Sequence, residues 1–277
     1  LRIRELFLDE TGLTTTDLLC IVSHVLSASK ERVLMEPARY LSQKERDRIQ
    51  DLVSQRLKGK PIAYLTHRKE FFSQDFYVDE RVLIPRPETE ALVEEGLSIM
   101  STLAHPACVL DMGAGSGIIG ILLAKGGAEH VLSVDISPGA LAVARQNAQA
   151  LSVEERMDFV ASDLFSSMRG HRPFDIVCAN LPYVGLQEWE GLMDDVRCFE
   201  PRQALLGGTL GVEVYERFVP QVSECLGPGG SVLCEIGGEA QARIVGDLLR
   251  EAGLEVAVRD DMAGRPRVVR GTWTSSS

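Results

Sequence analysis

Apolar residues at Leu18, Leu19, Ile21, Val22, Val25 and Leu26 recur at the spacing of one helical face, with Thr16 or Asp17 placed to cap that helix. A second helix is expected from Ser42-Gln-Lys-Glu45, an S-x-x-E capping box. It carries Ile49, Leu52, Val53 and Leu57 on its apolar side until Gly59 and Pro61 stop it. Residues 1–70 hold no evident catalytic group and are read as a small helical recognition domain, the alternative being a packing cap on the larger domain.

Residues 71–84 are rich in aromatic and β-branched types with loose alternation, which suggests a hairpin or an extended linker over 71–90. The prolines of Ile84-Pro85-Arg86-Pro87-Glu88 hold the chain extended and delay any helix until Glu88. From Ala107 the grammar changes to alternating strands and helices. Strands are expected at Cys108–Asp111, Val131–Asp135, Met157–Ala161, Phe174–Ala179 and Ser231–Ile236, and near Leu254–Val258 and Arg267–Val269. Helices are expected at Gly117–Lys125, from the Ser137-Pro138 cap to Ala150, at Val212–Leu226 and at Glu239–Ala252. That alternation over 91–277 predicts an α/β fold, a doubly wound, mostly parallel sheet covered on both faces. Ligands of such sheets bind beyond the carboxyl ends of the strands. Only the tail Ser275–Ser277 reads as disordered.

Composition narrows the partners. Over 277 residues, 40 acidic against 29 basic side chains give a net charge of −11. A chain that grips a phosphate backbone shows the opposite balance, so no extensive nucleic-acid binding is expected. No apolar run reaches membrane-spanning length, so no membrane association is expected either. The opening Leu1-Arg-Ile-Arg-Glu5 has no signal-peptide core and, lacking Met, reads as a trimmed start. Six cysteines are scattered without a C-x-x-C pair. They read as reduced thiols of a cytoplasmic protein, and no metal site is expected. The histidines, His24, His67, His105, His130 and His171, are equally dispersed.

The chemistry starts at Val109-Leu-Asp111-Met-Gly113-Ala114-Gly115-Ser116-Gly117-Ile-Ile-Gly120, which joins the first strand of the sheet to its helix. Glycines allow the tight turn and close approach of a ligand to the backbone. Asp135 ends the next strand, where a carboxylate accepts both hydroxyls of a ribose. Gly115, Gly117 and Gly120 satisfy G-x-G-x-x-G, with Asp135 following at dinucleotide spacing, so the loop alone says an adenosine-type cofactor without saying which. Asp111 directly before the glycines favours S-adenosylmethionine, as the acidic group that helps hold its amino-acid moiety. Asp163, after the third strand, stands where an adenine amino group needs an acceptor, or else caps a turn.

Phe174-Asp-Ile-Val-Cys-Ala-Asn180-Leu181-Pro182-Tyr183 selects the reaction. An Asn-x-Pro-Tyr segment at a strand end suits methylation of a planar NH₂. The Asn180 amide oxygen and the Leu181 carbonyl each accept one N–H, and Tyr183 stacks on the flat group.

These pieces resemble the HemK/PrmC protein-(glutamine-N5) methyltransferases, which modify peptide chain release factors. The resemblance spans nearly the whole chain. It is carried by Pro61-Ile-Ala-Tyr64-Leu, Lys69-Glu-Phe-Phe72, Leu83-Ile-Pro-Arg86-Pro-Glu-Thr-Glu90, the glycine loop and Asn180–Tyr183. Glu200-Pro-Arg-Gln-Ala-Leu205, Cys234-Glu-Ile-Gly237 and Asp261-Met-Ala-Gly-Arg265 belong to it too. It implies a class I methyltransferase sheet with one antiparallel strand, and S-adenosylmethionine held by the residues from Gly113 to Gly117, Asp135, Leu164 and Asn180. It implies substrate contacts and catalysis at Asn180, Leu181, Pro182 and Tyr183, with Arg86 alongside. The helical domain would grip the release factor, whose Gly-Gly-Gln loop presents its glutamine.

Two positions depart from the family: Leu181 replaces its usual proline, and His67 its usual glycine. Asn-Leu-Pro-Tyr also resembles adenine-directed methyltransferases of RNA and DNA, the rival reading, which a basic groove would favour. No general base is evident, and the proton is expected to leave to water. A monomer is the default expectation.

Overall fold

The computed structural model describes residues 1–8, 12–168 and 173–274. His171 and the Ser275–Ser277 tail lie outside the described residues. The chain divides into two compact units, one of Leu1–Arg68 with Met193–Phe199, the other of Lys69–Leu192 with the residues from Glu200 onward. The 71–90 stretch falls inside the second unit.

The first unit is built on helices α1 (Thr15–Leu26) and α2 (Gln43–Leu57). Thr14, rather than Thr16 or Asp17, caps α1 by accepting from the Asp17 amide. Thr16 and Asp17 already lie inside the helix. The Ser42 capping box closes as expected, with the Glu45 amide donating to Ser42 Oγ and the Ser42 amide to Glu45 Oε2 at 2.7 Å. Leu18, Ile21 and Val22 pack against Ile49 and Leu52, and Arg56 pairs with Asp17 at 2.9 Å. Leu57, expected on the apolar side, is exposed because α2 ends there. His67 ends the following short helix at φ 52°, the left-handed conformation that glycine adopts freely, which explains the family's preference there.

The second unit opens with the hairpin Lys69–Phe71 and Gln74–Phe76 and continues extended to a 3₁₀ turn at Pro87–Thr89 that leads into α3 (Glu90–Thr102). Its sheet has strands β1 (Cys108–Met112), β2 (His130–Asp135), β3 (Met157–Ala161), β4 (Phe174–Ala179), β5 (Leu226–Glu235), β6 (Glu255–Asp260) and β7 (Pro266–Thr272). The seven strands lie in the order β6-β7-β5-β4-β1-β2-β3. All pairings are parallel from β5 to β3, while β7 runs antiparallel to both its neighbours. The one antiparallel strand is therefore β7.

Strand alternation sorts the core into two layers. Leu110, Leu132, Val177 and Val232 face α6 (Glu213–Val222) and α7 (Glu239–Glu251). Val109, Val131, Ile176 and Leu233 face α3 and α4 (Ile118–Lys125). Helix α5 (Pro138–Ala150) follows β2, capped by Ser137. The helix expected at Val212–Leu226 is shorter, because Leu226 already pairs with Phe174 as the start of β5. Cys178 and Cys234 are buried in the sheet, whereas Cys198 is exposed.

Candidate active site

Strand order reverses between β1 and β4, and at the carboxyl ends of those strands the second unit holds a cavity of about 620 Å³, a usual size for a cofactor site. The loop after β1 forms one wall. Gly113, Gly115 and Gly117 take φ of 79°, 54° and 82°, where a side chain would be strained. The amides of Gly113 and Ala114 both donate to the Val134 carbonyl, at 2.8 and 3.0 Å, which pins the loop to β2.

Asp135 ties that wall to the next. Its Oδ2 accepts from the Gly115 amide at 2.9 Å and its Oδ1 from the Ser137 amide at 2.8 Å. Burial raises its pKa, against the backbone donors that favour the charged form. Each oxygen keeps a further lone pair, so the carboxylate can still accept from a ligand. Asp163 and Leu164 line the cavity from the end of β3, with Asp163 paired to Arg217 of α6 at 2.6 Å.

Gly113, Ala114, Gly115, Ser116, Asp135, Asp163, Leu164, Asn180, Leu181, Pro182 and Arg86 all line this cavity. Three expected residues do not. Asp111 occupies the opposite register position to Met112 and so turns toward α4, where Oδ2 accepts from the Gly120 amide at 3.0 Å. It is fully buried, with Oδ1 lacking a partner among the described residues, and burial pushes its carboxyl up to about 7. Asp111 thus fastens the helix start and does not line the cavity. Gly117 is turned toward α5, where a Cβ would meet that of Ala144 at 3.0 Å. Tyr183 packs its ring over Gly237 and donates its hydroxyl to Glu235 Oε1 at 3.5 Å, and is not among the residues that line the cavity.

Asn180 stands at the end of β4 with Nδ2 donating to Thr89 Oγ1 at 3.4 Å. Behind it the Tyr215 hydroxyl donates to the Glu235 carbonyl at 2.5 Å and accepts from the Leu181 amide at 3.4 Å, fixing the Asn180–Leu181 turn to the end of β5. Gly207 and Gly211 lie so close to the carbonyls of Pro182 and Tyr183 that neither could carry a Cβ without a shift. Leu181 is buried, and the Pro182 that comes next disfavours helical backbone at Leu181.

The expected substrate residue Arg86 is engaged by Glu200, whose Oε1 lies 2.5 Å from Nη2 and whose Oε2 accepts from the Ile84 amide at 3.0 Å. This buried carboxylate holds the proline-rich segment against the cavity. Glu235, at the end of β5, is also fully buried, and burial pushes its carboxyl up to about 7 against the pull of the Thr89 hydroxyl and the Arg267 charge.

Sequence reasoning missed Tyr215 and Asn147. Asn147 is buried on α5, where it accepts from the Tyr77 amide at 2.7 Å and donates to the carbonyls of Tyr77 and Ser116 at 3.0 and 2.8 Å. Its signal was a carboxamide on a helix face otherwise made of Ala140, Leu141, Val143, Ala144 and Ala148.

Residues 4–66 match the family model for the PrmC N-terminal domain, and residues 94–184 that for ribosomal protein L11 methyltransferase (PrmA). The chain is 39% identical to a release factor glutamine methyltransferase of Koribacter versatilis, over 91% of this chain and 88% of that protein. It is 38% identical to one of Clostridium acetobutylicum, over 90% and 88%. A methyltransferase structure from Pyrococcus furiosus superposes with a TM-score of 0.55 at 16% identity, covering 80% of this chain and 97% of that one, a likeness of fold. No helix among the described residues is long and apolar enough to cross a membrane.

Proposed function

The chain belongs to the release factor glutamine methyltransferase family, and from that premise we propose that it methylates the side-chain amide nitrogen of the glutamine in the Gly-Gly-Gln loop of a peptide chain release factor, with S-adenosylmethionine as donor. The observation that carries this reading is Asn180 at the cavity beside the glycine loop, its amide nitrogen turned to Thr89.

The lining residues fit an adenosine-type cofactor. The glycine loop is a cradle without side chains at Gly113 and Gly115, and Asp135 offers a carboxylate beside it. The donor supplies an electrophilic methyl on a sulfonium. Asp135 would hold the ribose, Asp163 and Leu164 the adenine, and Ala114 and Ser116 would line the near wall.

A carboxamide nitrogen is a poor nucleophile because its lone pair is delocalised into the carbonyl. Asn180 Oδ1 and the Leu181 carbonyl each accept one of its N–H bonds, which orients the lone pair and stabilises positive charge developing on nitrogen. Holding two reactants in attack geometry contributes on the order of 7–11 kcal/mol. Leu181 and Pro182 exclude water from one side.

Incubation with methyl-labelled S-adenosylmethionine and purified release factor, with RNA as the parallel acceptor, tests the proposal. Label on the release-factor glutamine supports it. Label on RNA alone contradicts it.

A further inference from the structure

Gln241 stands in the first turn of α7, and its carboxamide joins two backbone groups. Nε2 donates to the Tyr183 carbonyl at 2.7 Å, and Oε1 accepts from the Gly237 amide at 2.8 Å. Tyr183 closes the turn that begins at Asn180, and Gly237 follows β5. One planar amide therefore ties that turn to the sheet beyond Ala179 and Cys234, the last residues that β4 and β5 pair.

The oxygen alone would serve the helix. A side chain at the third helical position that accepts from an amide ahead of the helix is an ordinary cap. Glutamate fills that place at least as well as glutamine, because negative charge is favoured at a helix N-terminus. What a carboxylate lacks is the N–H. Here the N–H is directed at Tyr183, 58 residues away, so the amide answers the turn and not the helix.

The turn has to be held because one of the two acceptors proposed for the substrate nitrogen, the Leu181 carbonyl, is a backbone group that no side chain of its own can aim. The peptide bond to Pro182 is planar and the Pro182 ring fixes φ. Only the ψ of Pro182 and the φ and ψ of Tyr183 then separate the Leu181 carbonyl from the Tyr183 carbonyl. On the other side, the Leu181 amide donates to the Tyr215 hydroxyl at 3.4 Å. Between these two tethers the Pro182 carbonyl lies against Gly207 and the Tyr183 carbonyl against Gly211.

We infer that Gln241 is a positioning residue for methyl transfer, holding the Asn180–Tyr183 turn through the Tyr183 carbonyl so that the Leu181 carbonyl meets the acceptor nitrogen. The inference rests on the proposed carboxamide methylation. Gln241 is not among the residues that line the cavity, so it acts through the turn and on neither ligand directly.

Donor Kd, release-factor KM and kcat are measured for wild type, Gln241→Glu and Gln241→Met. Glutamate has the shape of glutamine and keeps the bond to Gly237, but sets an oxygen against the Tyr183 carbonyl. Methionine keeps the length and makes neither bond. Both variants should lower kcat by roughly tenfold or more, toward the 10²-fold cost of a misplacement of about 1 Å, with Gln241→Glu at least as impaired as Gln241→Met. Donor Kd should stay unchanged. So should KM, because a protein substrate is held over an interface far larger than one carboxamide. A residue that only caps α7 or fills space would give wild-type kcat in Gln241→Glu and a loss in Gln241→Met alone. That result, or donor Kd and KM weakened in step with kcat, would overturn the inference while leaving the activity standing. No transfer by the wild-type protein would overturn the activity and the inference with it.

Discussion

A Cβ placed on Gly113 would stand 2.9 Å from the backbone oxygen of Asn180 and 3.3 Å from Leu181 Cδ2. The glycine loop after β1 and the Asn180–Leu181 turn are thus in direct contact, and glycine at this point sets their separation. Gly113→Ala adds both that clash and a φ of 79°. Strain of about 1–3 kcal/mol should appear as a roughly 5- to 150-fold weakening of donor binding and a matching fall in turnover. Calorimetric titration with S-adenosylmethionine checks it, and an unchanged Kd would show that the loops do not constrain each other.

Asp135→Ala should weaken donor binding while leaving release-factor binding intact. The variant loses the proposed ribose acceptor and the hydrogen bonds to the Gly115 and Ser137 amides together. Donor and protein affinities measured separately distinguish this from a general loss of fold.

Asn147→Ala should destabilise the protein without touching either ligand. It removes the hydrogen bonds to the Tyr77 amide and to the carbonyls of Tyr77 and Ser116, at about 1–3 kcal/mol for a buried group left unsatisfied. Urea denaturation should show a lower midpoint and an unfolding free energy smaller by at least the cost of one such group.

Asp111 gives a pH dependence whose sign is set by burial. Its carboxyl stands at about 7 in the folded protein and near 3.9 when unfolded. The folded state keeps the proton over that window, so the stabilisation is complete below the unfolded value and is lost as pH rises through the folded one. Asp111→Asn still accepts from the Gly120 amide and does not titrate. Its melting temperature should exceed that of wild type by a margin that grows between about pH 4 and about pH 7. A margin independent of pH would mean that Asp111 is charged and compensated throughout.

The elements were legible where local pattern and burial agree. The glycines after β1, the Ser137 cap and the near-continuous apolar strands of a doubly covered sheet are local signals, and the structure places them as expected. What the sequence misdirected was side-chain facing. Asp111 reads as a ligand residue next to the glycines, yet one step of strand register sends it to α4 while Met112 faces the cavity. Tyr183 likewise has the composition of a stacking residue, but the buried Glu235 draws its hydroxyl. Glu235 lies 52 residues from Tyr183. Tyr215, Asn147 and Glu200 act through backbone groups 20 to 116 residues away, separations that no spacing rule reaches.

The central claim, that Asn180 holds the acceptor carboxamide, is tested most directly by Asn180→Ala assayed twice, by donor Kd and by single-turnover transfer to release factor. Methyl transfer to the glutamine should be abolished while S-adenosylmethionine still binds close to its wild-type affinity. Transfer at the wild-type rate in that variant would contradict the claim.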